Sequence, residues 1–301
     1  MDTKTFLTKV LPTRGNFFLA KWWAFPEPKN GRDGTTIYRP FGPDQYEEMA
    51  AEATQLSARG ENVYFACASF KEIFYKNDVV QLAGARHPEW WGKAGRLQSN
   101  VQACKAFWLD LDVGKADEEK SYPTQKDAGR DLARLCQVVE LPLPMIVSSG
   151  NGLHCYWVLT DEIPAGAWKR IARMLAAACN HLEVKHDTAC TTDEARILRP
   201  VGTINPKGQK PVAVRRDAEP IEVMDFARKL AEYVRANQLG VPQAKKTHTN
   251  APSGMAAALL TGTEYPPSSA NVIVEHCAVV RHFRDALGAV NEPLWWQMAG
   301  C

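Results

Sequence analysis

The sequence predicts a mixed α/β fold, and three observations carry that prediction. Apolar runs of strand length alternate along the chain with segments of helical periodicity. Glycine- and proline-bearing turns mark several of the junctions. The composition, 45% hydrophobic and 23% charged over 301 residues, is that of a globular protein long enough for one large domain or two ordinary ones.

The elements follow in order. The first forty residues mix aromatics with glycine and proline, so "NFFLAKWWAFP" and "TTIYRPFG" read as a short hairpin or two. "GPDQYEEMAAEATQLSARG" reads as a helix that Asp44 is placed to cap, with acids in its first turn and Gly60 at its end. "NVYFACASF" is a strand of the continuous apolar kind, "HPEWWGKAGRLQSN" is loop-like, and "CKAFWLDLDVG" is the next strand. "TQKDAGRDLARLCQVVELPLP" gives a helix closed by two prolines, and "MIVSSGNGLHCYWVL" a hairpin around a glycine-rich turn. "AGAWKRIARMLAAACNHL" is a strong helix. "LEVKHD" predicts a short strand, "DTACTTDEARILRPVGTINPKG" a loop-and-strand segment, and "KPVAVRRDAEPIEVMDFARKLAEYVRANQLG" a strand and a helix. These elements make one domain over residues 1–235. Residues 236–270, which accumulate proline, serine and threonine, read as a linker or loose loop. Residues 271–301 read as a helical segment that stops on Trp-rich apolar residues, as if cut from a longer protein.

Composition narrows the function classes. The net charge is only +2, so a site for a polyanion has to be built from a local cluster. The eight cysteines, Cys67, Cys104, Cys136, Cys155, Cys179, Cys190, Cys277 and Cys301, are scattered without a CxxC, which fits reduced thiols better than a disulfide framework. No secretory leader pattern and no apolar run of membrane-spanning length is present, and the expectation is a soluble intracellular protein.

Three constellations carry chemistry. In "FWLDLDVG", Asp110 and Asp112 sit two apart on a strand and share a face, where like charges repel unless solvent or a cation lies between them. In "SSGNGLHCYW", Ser149, Gly150, Asn151 and Gly152 form a turn before His154, offering backbone N–H groups and close approach to a ligand. The plain alternative is a hairpin with a half-buried histidine. In "KHDTACTTDEARILRPVGTINPKG", Asp187 is a third candidate carboxylate, Arg196 and Arg199 flank two apolar residues in an irregular or helical turn, and Lys207 lies in the turn "NPKG". Cations just beyond an acid suit a triphosphate with its metals; a solvated basic surface is the competing reading. Cys179, His181, His186 and Cys190 have a zinc-like spacing, but positions two apart at a helix end do not face the same way, so core and surface roles are expected. The Trp22-Trp23, Trp90-Trp91 and Trp295-Trp296 pairs are expected to pack rather than stack on bases.

Taken in order, "FWLDLDVG", "VSSGNGLHCYW" and "ARILRPVGTINPKG" resemble the three signature blocks of the archaeo-eukaryotic primase superfamily, most nearly its phage- and plasmid-encoded primase-polymerases. The resemblance spans roughly residues 60–215, and "HCAVVRHFRDALGAVNEPLWWQMAG" resembles the start of the helical primase carboxy-terminal domain. It implies an RRM-like antiparallel sheet holding the acids, joined to an amino-terminal α/β module. It also implies a DNA primase/polymerase using two Mg²⁺ or Mn²⁺ ions at Asp110, Asp112 and Asp187. His154 would touch the nucleotide phosphates, with Ser149, Gly150, Gly152, Arg196, Arg199 and Lys207 around them. The implied partners are a single-stranded DNA template, NTP or dNTP, and a replicative helicase domain in the same parent chain. The implied setting is phage or plasmid replication in the bacterial cytoplasm. Many members carry a serine two residues before the histidine; here that position is Gly152.

Two other readings compete. One is an inactive primase-like module that binds DNA or an origin. The other is a DxD glycosyltransferase, which leaves Arg196, Arg199 and the glycine–histidine hairpin unexplained. For the transferase, alanine at Asp110 or Asp187 is expected to abolish incorporation and leave the fold intact. Arg86, Lys93 and Arg96 are candidate template-backbone contacts, with a solvated loop as the equal alternative.

Overall fold

A computed structural model describes residues 1–29, 31–73, 95–114 and 121–241. The chain divides into two compact units, Met1–Gln243 and Ala244–Cys301, and all described residues belong to the first. The expected helical segment, and the expected linker from residue 242 onward, lie outside the described residues.

The first element is a helix, α1 (Thr3–Val10), where the sequence suggested only hairpins. Asp2 caps it by accepting from the Thr5 N–H at 2.7 Å, and it buries Phe6, Leu7 and Val10. A helix this short has little stability by itself, so its signal lies in the partners it packs on rather than in local propensity. The hairpin of β1 (Phe17–Lys29) and β2 (Arg32–Phe41) follows, in register from Phe17↔Phe41 to Ala24↔Gly34. Helix α2 (Tyr46–Ala58) starts without the expected Asp44 cap. Gln45 holds the cap position and its Oε1 accepts from the Gly42 N–H at 2.8 Å. At the other end Gly60 has φ +79°, and the Gly60 and Glu61 N–H groups return to the Ser57 and Leu56 carbonyls, the paired bonds of a Schellman turn.

The run "NVYFACASF" is one expected strand but serves two sheets. Its first half, β3 (Val63–Ala66), pairs with β1; its second half, β4 (Ala68–Phe70), pairs with β5 (Val101–Leu111). Cys67 is the crossing point, and its N–H donates to the Arg196 carbonyl at 2.9 Å. The first sheet has the order β2-β1-β3-β8, where β8 is Ile197–Leu198. The second adds β6 (Met145–Ser148), β7 (Leu153–Pro164) and β11 (Ala213–Arg216) in the order β11-β6-β7-β5-β4. All pairings in both sheets are antiparallel. A small ribbon of β9 (Ile204–Asn205) and β10 (Lys210–Pro211) lies between β8 and β11 in the chain.

Aromatic packing joins these layers. Phe6 of α1 meets Phe65 of the first sheet edge-on at 5.4 Å and Tyr156 of the second at 5.6 Å. Helix α3 (Gln125–Val138) is capped by Thr124, which accepts from the Asp127 N–H at 3.2 Å. Helices α4 (Ala165–His181) and α6 (Val223–Ala236) pack against the five-stranded sheet. There Phe107 of β5 stacks on Trp168 of α4 at 5.7 Å and on Phe226 of α6 at 5.0 Å. The Trp168 indole N–H also donates to the Ala106 carbonyl at 2.7 Å, so its one polar atom is satisfied inside the core. Among the described residues no helix is long and apolar enough to cross a membrane.

Candidate active site

The two central strands of the second sheet converge on the site. Asp110 near the end of β5 is the cross-strand partner of His154 near the start of β7. Asp110 Oδ1 lies 3.8 Å from His154 Nε2. Asp112 follows one residue past the strand, its carbonyl fixed by the Tyr122 N–H at 2.8 Å. Alternation along an extended chain puts Asp110 and Asp112 on one side. Both line a cavity of about 490 Å³.

His154 also lines the cavity, yet only 3% of its surface is exposed. Burial first, then the charges of Arg199 and Arg196, pull its pKa down to about 3, so its imidazole is neutral. Its Nδ1 has no hydrogen-bond partner among the described residues.

The turn before His154 closes between Ser148 and Leu153, with the Ser149 N–H donating to the Gly152 carbonyl at 3.0 Å. Gly150 has φ +100°. Gly152 lies so close to the end of β5 that a Cβ there would run into the Leu111 carbonyl oxygen. A serine at this position has no room. Ser149 and Gly152 line the cavity; Gly150 shapes the turn without lining it.

Asp187 is placed differently from the expectation. "LEVKHD" forms no strand: α4 ends in a Schellman turn with Glu183 at φ +53°, and the chain then runs extended to Asp187. The Asp187 N–H donates to the Asp110 carbonyl at 3.2 Å, bringing the two acids' backbones together. Its carboxylate is already engaged. Oδ1 accepts from the Cys190 N–H at 3.0 Å, capping the single-turn helix α5 (Thr188–Thr191), and Oδ2 accepts from Arg196 at 3.0 Å. Asp187 does not line the cavity. Among the described residues no three His, Cys, Asp or Glu side chains gather into a metal-binding group.

Arg196 and Arg199 flank the strand β8 rather than a helical turn, and both line the cavity. Arg199 donates to Asn62 Oδ1 at 2.9 Å and to the Tyr64 hydroxyl at 3.1 Å, with its guanidinium 4.8 Å from the Tyr64 ring centre. Among the described residues, the Nε atoms of both arginines are buried without a hydrogen-bond partner. Lys207 completes the cationic side from the β9–β10 turn. Sequence reading missed Tyr64 and Asn205, which also line the cavity. Tyr64 is the polar-tipped member of an apolar strand, and Asn205 opens the "NPKG" turn already singled out for its lysine.

The remaining candidates fall elsewhere. Arg96 is tied inward, to the Tyr38 hydroxyl at 2.9 Å and to the Ala195 carbonyl, so it is not a free template contact. Arg86, Lys93, Trp90-Trp91 and Trp295-Trp296 lie outside the described residues. Trp22 is exposed on the β1–β2 hairpin beside Gly34. Of the zinc-like set, Cys179 and Cys190 are buried thiols whose pKa burial raises, and His186 Nδ1 bonds the Val184 carbonyl at 2.9 Å.

No known family profile matches the sequence, and no curated protein matches it significantly. Among solved structures the chain is similar to the primase-polymerase domain of cyanophage S-2L, at 14% identity and a TM-score of 0.43 over 72% of this chain and 90% of that one. It is also similar to the catalytic domain of primase RepB′ solved with initiator DNA, at 14% identity and a TM-score of 0.42 over 74% and 89% of the two chains. A third is the polymerase domain of Mycobacterium tuberculosis Ligase D solved with DNA, at 13% identity and a TM-score of 0.39 over 80% and 91%. These are distant likenesses, and they say nothing about which side chains react.

Proposed function

We propose that the cavity is the active site of a primase-polymerase-type nucleotidyltransferase. One observation carries the reading: Asp110 and Asp112, a neutral His154 beside Asp110, and the cations Arg196, Arg199 and Lys207 all line a single cavity of about 490 Å³. Acids beside a ring of cations are the two halves of a site for a metal-bound triphosphate.

The donor set fits the divalent cations that such chemistry needs. Two carboxylates on one face suit Mg²⁺ or Mn²⁺, which binds through one or two carboxylates and takes its other ligands from water and phosphate. A second ion that used Asp187 requires its carboxylate to leave Arg196. When bound, the ions supply Lewis-acid charge to the triphosphate and acidify the attacking 3′-hydroxyl.

The chain's own groups do the rest. Arg196, Arg199 and Lys207 bind and orient the phosphates and offset the charge that passes to pyrophosphate as the 3′-hydroxyl oxygen displaces it from the α-phosphorus. His154, neutral and buried, offers a ring N–H to a phosphate oxygen without competing for a proton. The Ser149–Gly152 turn lets backbone approach the triphosphate closely.

Under this reading the partners are single-stranded DNA and NTP or dNTP, and the setting is phage or plasmid replication in the bacterial cytoplasm, with a helicase domain in the parent chain. A second reading, an inactive DNA-binding module, draws on the engaged Asp187 carboxylate. The test incubates the chain with single-stranded DNA, labelled nucleotides and Mg²⁺ or Mn²⁺, with and without primer, beside Asp112→Ala. Metal-dependent products lost in the variant support the transferase. DNA binding with no product under any condition supports the module.

A further inference from the structure

Resting on the nucleotide-binding reading above, we infer that Asn205 is a positioning residue that locks the Ser149–Gly152 turn to the Lys207 turn, so that the cavity presents one rigid phosphate cradle. The two turns come from different parts of the chain. One joins β6 to β7 and the other joins β9 to β10. The β6–β11 pairing of Ser148 with Ala213 brings the feet of the two turns together, and Gln125 Nε2 holds the Ser149–Gly152 turn from the α3 side, donating to Ser148 Oγ and to the Asn151 and Gly152 carbonyls; neither contact reaches the Lys207 turn itself.

Asn205 supplies that link. Only 4% of it is exposed, and its amide makes one bond to each turn. Nδ2 donates to the Ser149 carbonyl at 2.9 Å, and Oδ1 accepts from the Lys207 N–H at 3.0 Å. The partners determine which end of the amide points where, since a carbonyl only accepts and a peptide N–H only donates. Contact is close as well as polar: a Cβ on Gly150 would lie 2.8 Å from the Asn205 Cβ. The left-handed φ of +100° at Gly150 and the absence of a side chain there are therefore both needed for Asn205 to reach Ser149. At the rim, Lys210 Nζ meets Asn151 Oδ1 at 3.1 Å, an exposed second tie between the same turns. Asp110 lies on β5 and Asp112 one residue past its end, and neither is joined to either turn by the Asn205 amide. Asn205 thus acts on nucleotide binding, through Lys207 and the glycine turn, and not on the acids.

The test is a split between binding and turnover in the full chain. Asn205→Ala removes both bonds; Asn205→Asp keeps the size and the acceptor for Lys207 but sets a carboxylate against the Ser149 carbonyl. The probe is a non-hydrolysable deoxynucleoside triphosphate analogue with Mg²⁺, titrated by fluorescence, together with KM and kcat for incorporation, melting temperature and single-stranded DNA affinity. For Asn205→Ala, loss of one buried and one half-buried hydrogen bond in the cradle is expected to weaken triphosphate Kd and raise KM about tenfold, with kcat at saturation and DNA affinity within about twofold. If Asn205→Ala fails to fold, Asn205→Asp is expected to show the same weakening of triphosphate Kd. A fall in kcat at unchanged KM, or wild-type triphosphate affinity in the folded variants, overturns the inference alone. A wild-type chain that binds no triphosphate overturns the nucleotide reading and takes this inference with it.

Discussion

Asp110 and His154 face each other across the β5–β7 pair, with Oδ1 and Nε2 3.8 Å apart, yet the histidine is neutral. An exposed carboxylate–imidazole pair would favour the imidazolium. Here burial, then Arg199 and Arg196, outweigh Asp110 and pull the pKa from 6.5 to about 3. Burial thus sets the state of this histidine, and two arginines of the same cavity reinforce it.

That balance has a pH signature in the metal-free chain. Between its unfolded value near 6.5 and its folded value of about 3, His154 binds a proton only when unfolded. The unfolded state binds more protons there, so stability is full above about pH 6.5 and is lost as pH falls. Burial also lowers the pKa of His186, with the same sign. Urea melts between about pH 7 and about pH 4.5 should show a steeper loss for wild type than for His154→Gln. Equal slopes would mean that His154 titrates normally.

Arg199 holds its guanidinium carbon 4.8 Å from the Tyr64 ring centre, and its Nη2 donates to both Asn62 Oδ1 and the Tyr64 hydroxyl. A lysine keeps the charge but offers no planar guanidinium to lie over the ring, so the exchange is not conservative here. Arg199→Lys is expected to weaken triphosphate binding about three- to tenfold, with Tyr64→Phe, which keeps the ring, costing about twofold. Equilibrium titration of both variants checks the order; a larger effect for Tyr64→Phe would show that the hydroxyl, not the stack, matters.

What the sequence disclosed follows from the range of the forces involved. Asp110, Asp112 and His154 were legible because strand alternation and a glycine turn are local rules, and they hold in β5, β7 and the turn between β6 and β7. Lys207, Arg196 and Arg199 were legible as cations next to apolar residues. The split of "NVYFACASF" at Cys67 was not, because both halves are apolar and only the strands beside them distinguish one sheet from the other. Helix α1 escaped for a similar reason: Phe6 is fixed by Phe65 and Tyr156, more than fifty residues downstream. The local marks of Asn205, opening the "NPKG" turn, and of Tyr64, a polar tip in an apolar strand, are too weak to single them out, since their roles depend on turns and strands brought together by the fold.

Glycines at two positions should respond in opposite ways. A Cβ at Gly152 meets the Leu111 carbonyl oxygen, and backbone at the sheet centre has little freedom to yield. Gly152→Ala is expected to cost about 1–3 kcal/mol in denaturant melts and to lower incorporation by displacing Asp112, whose Cα is the next neighbour. Gly166 in α4 has open space and a helical setting, so Gly166→Ala should be neutral or stabilise by up to about 1 kcal/mol. A silent Gly152→Ala would show that β5 and the turn are not packed as described.

Asp187 separates structure from catalysis most sharply. The expectation that alanine there leaves the fold intact does not survive its contacts: one oxygen caps α5 through Cys190 and the other holds Arg196. Losing an N-cap costs about 1 kcal/mol, and the ion pair, about a third exposed on each side, adds a discounted share, so Asp187→Ala should lose about 1–2 kcal/mol. Loss of activity in that variant alone therefore proves nothing about metal binding. Asparagine is as good a cap as aspartate but carries no charge, so Asp187→Asn should keep most of the stability. If Asp187 swings from Arg196 to a metal during turnover, Asp187→Asn folds and melts nearly as wild type but incorporates at least about a hundredfold more slowly, the scale of losing one charged group that stabilises the transition state. If it is only a cap and an arginine anchor, Asp187→Asn retains activity within a few-fold, and Asp110 and Asp112 are the acids that act.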